Sequence, residues 1–174
     1  STAGRLVDQK NQALLIDAVS IVEKKYPQVE CYIYGEGELR GKLEDKVAQL
    51  GLERNVHLPG NKTDVYKWVA KSSIFVMTSN FEGLSNALIE AMMLGKACIS
   101  TDYPGASELI VDERNGLIVP CNNPQDLAKA IVRLFEQKEF RQKIKRNARI
   151  DSEKFKKSHV IEQWSHAVDV ILQQ

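Results

Sequence analysis

Apolar residues follow two alternating rhythms along the chain. Short runs of consecutive apolar residues are separated by longer stretches with apolar positions three and four apart. Residues 11–26 predict a helix, with Leu14, Leu15, Ala18, Val19 and Val22 on one buried face and Pro27 at its end. Residues 29–34 (VECYIY) predict a strand that stops at Gly35-Glu36-Gly37. A polar amphipathic helix over 38–50 follows, closed by Gly51. Residues 55–59 (NVHLP) predict a short strand, and Asp64 a cap for a helix reaching about residue 70.

The alternation continues to the end of the chain. Strands are predicted over 73–78 (SIFVMT), 97–101 (ACIST) and 116–119 (GLIV). Between them lie a helix over 86–94 closed by Gly95 and a short helix over 106–110. A clear amphipathic helix over 126–135 follows Pro124, and a basic helical stretch covers 140–156. A last helix over 160–172 turns Val160, Ile161, Trp164, Val168 and Ile171 inward. The opening Ser1-Thr2-Ala3 reads as an expression scar or a cut within a longer chain. Gly4-Arg5-Leu6 then comes too soon for a strand to precede it.

Near-continuous apolar strands are buried on both faces, which implies a parallel sheet between two helix layers. The fold class is therefore α/β: a Rossmann-like, doubly wound parallel sheet with helices on both faces and helices at the C-terminal end. The 174 residues fit a single domain spanning 1–174, without internal repeat or linker. Ligands of such sheets bind at the carboxyl ends of the strands.

Composition removes several function classes. A net charge of +1 gives no global field for nucleic acid. No apolar run approaches the ~20 residues of a membrane-spanning helix. Cys31, Cys98 and Cys121 are far apart and lack metal spacing, so they read as free thiols in a reducing cytosol, and no metal is expected. The basic stretch 143–157 also carries Asp151 and Glu153 and reads as a solvated helix face, with membrane-surface contact as the lesser option. The sequon Asn61-Lys62-Thr63 matters only in a secretory compartment.

The chemistry concentrates in SNFEGLSNALIEAMM, residues 79–93, which runs from a strand's carboxyl end into a helix. Gly83, Leu84, Ser85 and Asn86 form the turn between Glu82 and Glu90. A glycine admits close backbone approach, and free first-turn amides attract a phosphate. Glu90 lies about one turn further in, roughly 6 Å along the axis, within reach of a ribose diol. Its neighbours Leu88, Ile89, Ala91 and Met92 are apolar, and a carboxylate among them needs partners. A solvated or lysine-paired rim glutamate is the plain alternative. Arg5 and Lys10 stand on the first loop, where two cations neutralise a diphosphate without a metal; alone they are ordinary surface charge.

Gly35-Glu36-Gly37 fails the dinucleotide fingerprint, because position 40 is Arg40 and Gly41 comes one residue late. It reads as a turn that lets a bulky ligand approach. No phosphate-loop motif occurs. His57 is a half-buried strand residue or part of the frame of a base pocket, while His159 and His166 read as structural or exposed. No nucleophile–base set appears.

Taken in order, Gly4-Arg5-Leu6 with Lys10, Gly35-Glu36-Gly37, the segment 55–60 (NVHLPG), Glu82-x7-Glu90 and the segment 115–120 (NGLIVP) resemble the C-terminal domain of the family-four retaining glycosyltransferases of GT-B architecture. The resemblance covers nearly the whole chain. It implies that Arg5 and Lys10 bind the donor diphosphate, Glu90 the ribose and Glu82 the donor sugar. It also implies that Gly83, Leu84 and Ser85 present backbone to sugar and phosphates, and that residues around Leu58 and Asn61 line the base pocket. The glycines Gly35 and Gly37 would border the same ligand.

A nucleotide-sugar donor is the implied partner, a UDP-sugar over a GDP-sugar on family frequency alone. The acceptor class is a polysaccharide or glycolipid, and no metal cofactor is needed. The acceptor-binding N-terminal domain is absent, so the chain alone is expected to transfer little sugar. The full-length enzyme is expected in the cytoplasm, with peripheral membrane contact as an option. Tyr103-Pro104-Gly105 departs from the family's paired glycines after Thr101-Asp102. A nucleotide-sugar epimerase of similar architecture and a non-catalytic binding module remain as alternatives.

Overall fold

A computed structural model describes residues 1–156. The helix expected over 160–172, with His159 and His166, lies outside the described residues.

The strands are β1 (Thr2–Ala3), β2 (Cys31–Tyr34), β3 (Val56–Gly60), β4 (Ile74–Met77), β5 (Ala97–Thr101) and β6 (Leu117–Val119). Every pairing is parallel, in two three-stranded sheets of order β1-β2-β3 and β4-β5-β6. Ser1 joins them: its amine donates to the Ile74 carbonyl, and its own carbonyl accepts from Val76 N–H, both at 2.9 Å. The six strands therefore run in the order 3-2-1-4-5-6, the doubly wound arrangement whose switch point lies between β1 and β4.

The expectation that nothing strand-like precedes Gly4 is corrected here. Thr2 and Ala3 pair with Ile33 and Tyr34. Two residues give no periodicity to read; their state is set by the β2 and β4 edges beside them.

Among the described residues, five α-helices cross over between strands, α1 (Gln12–Glu23), α2 (Arg40–Gln49), α3 (Val65–Val69), α4 (Asn86–Met93) and α5 (Ala106–Leu109), and two follow β6, α6 (Pro124–Glu136) and α7 (Lys138–Ser152). A single 3₁₀ turn, Asp8–Lys10, leads into α1. Helix α6 begins at Pro124, where the absent N–H loses nothing. Asn123 caps it by accepting from the Asp126 amide at 3.0 Å. Asp64 does not cap α3: it sits at φ 55° and its carboxylate pairs with Lys67 instead.

Side chains alternate across the sheet as the pleat requires. Cys31, Ile33, Ile74, Val76, Ala97 and Ile99 pack on the face shared with α1 and α6. Tyr34, Phe75, Met77 and Cys98 pack on the opposite face with Leu88 and Met92 of α4 and Ala148 of α7. All six residues of β4 and β5 from Phe75 to Met77 and from Ala97 to Ile99 are buried, each contributing about 1.5–3 kcal/mol where the side chain is large. The parallel order directs every strand's carboxyl end to one edge.

Candidate functional site

That edge gathers the loops after β1, β2, β3 and β4, and the first and last of these are bonded together. Asn80 N–H donates to the Gln9 carbonyl at 2.8 Å, and Gln9 Nε2 donates to the Phe81 carbonyl at 2.9 Å. Thr78 Oγ1 donates to the Lys10 carbonyl at 2.8 Å. Asn11 Nδ2 donates to Asn80 Oδ1 and to Asn122 Oδ1. The buried Gln12 side chain donates to the Arg5 carbonyl at 2.8 Å. Backbone and amide groups thus fix the 5–12 segment against 78–82.

Within this frame the Lys10 ammonium donates to Glu82 Oε1. Ser79 Oγ donates to the same oxygen at 3.0 Å. The Glu82 side chain is 8% exposed and that of Lys10 18%. A carboxylate this far from water requires such partners. Arg5 is exposed and forms no ion pair among the described residues. Two cations and one carboxylate therefore sit at the switch point, with Arg5 free to meet an anion.

Ser85 is the N-cap residue of α4, but its side chain makes no cap bond. The first-turn amides of α4 are left to other acceptors, and the helix dipole adds to their pull on an anion. Gly83 and Leu84 are exposed, and a Cβ at Gly83 would meet nothing within 4 Å. Gly105, at φ +96°, brings the β5–α5 loop beneath: a Cβ there would stand 2.7 Å from the Gly83 carbonyl. The departure at 103–105 therefore supports the 82–85 turn from below.

Glu90 lies on α4 and is half-buried. Tyr66 of α3 donates its phenol hydrogen to Glu90 Oε1 at 2.9 Å. That bond, followed by burial, pushes the Tyr66 phenol above its ordinary range. Leu58 is half-buried on β3 with its carbonyl accepting from Arg40 Nη2 at 2.8 Å; Asn61 is exposed just beyond. His57 is half-buried on the same strand, its ring 4.7 Å from that of Tyr32, and its Nε2 is buried without a partner.

Gly35 and Gly37 have a different reason from the one expected. At Gly35, φ is +138° and a Cβ would fall 1.9 Å from the Gly4 carbonyl oxygen. A Cβ at Gly37 would fall 2.3 Å from the Leu6 carbonyl oxygen. The space that these glycines open is filled by the 4–6 backbone, not left for a bulky ligand. They seat the loop that carries Arg5.

Sequence reasoning missed Ser79, Gln12 and Tyr66 as members of this site. Their roles depend on partners 3, 7 and 24 residues away. It also passed over Tyr103 as a mere departure. Tyr103 and Ser85 are each 1% exposed, and neither hydroxyl finds a hydrogen-bond partner. Burial, then the Glu82 charge, pushes the Tyr103 phenol up to about 12, against smaller opposing effects of Ser100 and Ser85.

A cavity of about 780 Å³ lies elsewhere, between the starts of β2 and β4, lined by Ser1, Cys31, Ile74 and Phe135. It occupies the amino edge of the sheet and does not belong to this site. Among the described residues, no group of three His, Cys, Asp or Glu side chains converges. No helix of the described residues is long and apolar enough to cross a membrane.

The chain is similar to proteins of known activity. Poly(ribitol-phosphate) alpha-N-acetylglucosaminyltransferase of Staphylococcus aureus is 33% identical over 165 residues, which cover 92% of this chain and 33% of that protein. A Campylobacter jejuni N-acetylgalactosaminyltransferase acting on a diphospho-undecaprenol-linked sugar is 34% identical over 157 residues, or 90% of this chain and 42% of that one. The chain thus spans less than half the length of these relatives.

Among solved structures, S. aureus TarM, as a variant in complex with Fondaparinux, alpha-GlcNAc-glycerol and UDP, superposes with a TM-score of 0.89 at 31% identity. That match covers 95% of this chain and 34% of TarM. Anabaena HepE in complex with UDP gives 0.91 at 27% identity, covering 97% and 48%. The C-terminal domain of the Francisella tularensis group 1 protein LpcC gives 0.79 at 28%, covering 86% of this chain and 82% of that domain. The model for glycosyl transferases group 1 matches residues 2–151, and with the doubly wound sheet and the Glu82–Glu90 turn at its switch point, the chain belongs to that family.

Proposed function

We propose that this chain is the donor-binding half of a retaining glycosyltransferase that takes a nucleotide-sugar, a UDP-sugar in preference to a GDP-sugar. The observation that carries the reading is the Lys10–Glu82 pair beside the uncapped first turn of α4. The donor's diphosphate lies against Arg5, Lys10 and the amides of Gly83 to Ser85. Lys10, held by Glu82, and the backbone amides are in place before the ligand arrives, so charge developing on the departing diphosphate is stabilised with little reorganisation beyond that of Arg5. No metal cofactor enters this scheme, because the cations and amides supply the positive field. Glu90 accepts from the ribose hydroxyls, and Glu82, held by Lys10 and Ser79, accepts from the donor sugar. Leu58 and Asn61 border the base.

That TarM and HepE were solved in complex with UDP supports a uridine nucleotide as the ligand. The named relatives act on a poly(ribitol-phosphate) and on a lipid-diphosphate-linked sugar, which supports a polysaccharide or glycolipid acceptor. Acceptor binding and full turnover belong to an N-terminal domain that pairs with this one, in the cytoplasm and in peripheral contact with the membrane that carries a glycolipid acceptor. The purified chain is expected to bind UDP and transfer little sugar. Titration calorimetry with UDP, GDP and ADP tests this. Heat with UDP and no acceptor-free turnover of UDP-sugars is the expected result. Indifference to all three nucleotides points to a protein-binding module, and donor turnover without acceptor points to an epimerase; either outcome ends the reading.

A further inference from the structure

Glu90 and Tyr66 come from different crossover helices and are brought together only by the fold. Helix α3 is anchored by Val69, which is buried, and by Val65, which packs on the same cluster. Tyr66 is on the outer side of this short helix, 46% exposed, and its hydroxyl reaches Glu90 Oε1 at 2.9 Å. The phenol is the polar tie between this residue and Glu90 of α4. Glu90 forms no ion pair with any described cation. Without Tyr66, its carboxylate would turn freely among the rotamers of a half-exposed glutamate. A carboxylate offers about four lone-pair sites, so one phenol leaves acceptor capacity for a vicinal diol.

We infer that Tyr66 is the positioning residue for Glu90: its phenol holds the carboxylate in the rotamer that accepts both hydroxyls of the nucleotide's pentose. This rests on the assignment of Glu90 to the ribose given above. Tyr66 touches neither phosphate nor sugar in this scheme, so it acts on affinity through Glu90 alone.

The test uses the whole chain and whichever of UDP, GDP and ADP binds most tightly, beside its 2′,3′-dideoxy analogue. Tyr66→Phe keeps the ring and removes the bond. It is expected to weaken the ribonucleotide about fivefold while leaving the dideoxy analogue unchanged. In a Glu90→Ala background, Tyr66→Phe is expected to add nothing, since the pair acts as one unit. Equal losses for both nucleotides would make Tyr66 a base contact or a fold residue and overturn the inference. An unchanged ribonucleotide affinity overturns it as well. If Glu90→Ala itself leaves the preference for ribose intact, the ribose assignment has failed, and the positioning role fails with it. If that preference disappears with Glu90→Ala but survives Tyr66→Phe, only the positioning role has failed.

Discussion

The Lys10 ammonium meets the Glu82 carboxylate across 72 residues of chain, at the point where the order of the sheet reverses. Neither group is well solvated, with side-chain exposures of 18% and 8%. Lys10→Met keeps the aliphatic stem but strands a buried carboxylate with only Ser79 as partner. The expected loss is about 2 kcal/mol of stability, which lowers the midpoint of thermal unfolding by roughly 4–8 °C. Nucleotide affinity is expected to fall at least about tenfold in the same variant, because the phosphate loses a cation. Thermal melts with and without UDP separate the two effects: a variant equally stabilised by UDP would contradict the phosphate role.

Glu90→Ala is the complementary case. Glu90 is only half-buried and its partner Tyr66 is 46% exposed, so little stability depends on the pair. The variant should unfold within about 0.5 kcal/mol of the parent, as substitutions outside a core do. Nucleotide affinity should fall to about that of the parent for the 2′,3′-dideoxy analogue. Denaturant unfolding and calorimetry on one preparation check both halves. A collapse of stability would mean that Glu90 is a structural residue.

Much of this was legible in the sequence, for reasons that differ from element to element. β4 is an unbroken apolar run and β5 opens on one, Ala97-Cys98-Ile99, so the burial of these residues was forced. The 79–93 segment announced itself by a glycine turn between two acids, one of them amid apolar helix positions. β1 was invisible because two residues have no period, and its strand state comes from the edges it joins. Tyr66 was invisible as a site residue because its partner lies 24 positions away on a separate helix. Gly35 and Gly37 were legible as a turn but not in purpose, since a one-dimensional reading cannot say whether backbone or ligand fills the space above a glycine.

That space gives a direct test. At Gly35, a Cβ would lie 1.9 Å from the Gly4 carbonyl, at a φ of +138° that side chains avoid. Gly35→Ala must push the 4–6 loop away from β2, breaking the bond from Gly4 N–H to the Tyr34 carbonyl. The expected destabilisation is about 2–4 kcal/mol, from strain plus the lost loop contacts. Gly83→Ala has open space around it and is expected to change stability by less than about 1 kcal/mol while weakening nucleotide binding. The opposite ranking of the two variants in a melting experiment would refute the loop-packing role.

Tyr103 links stability to pH. Its hydroxyl is buried and without a partner, and its phenol is pushed up to about 12 by burial. The folded state thus prefers the neutral phenol, while the unfolded chain ionises near the ordinary value of about 10. The sign follows: stability from this group is complete below pH 10 and is lost as pH rises from about 10 to about 12. Cys98, pushed up to about 12 by its own burial, drains stability over an overlapping range, so the parent's slope is a sum. Tyr103→Phe removes one contribution and an unsatisfied polar atom at once. At pH 7 it is expected to raise stability by up to about 1 kcal/mol, since no hydrogen bond is forfeited. Between pH 10 and 12 its unfolding free energy should fall less steeply than the parent's. Urea titrations at intervals across that range give the comparison. Parallel curves would mean that the phenol ionises alike in both states. A loss of stability at pH 7 would mean that the hydroxyl is bonded after all, most directly to Ser85 of the 82–85 turn.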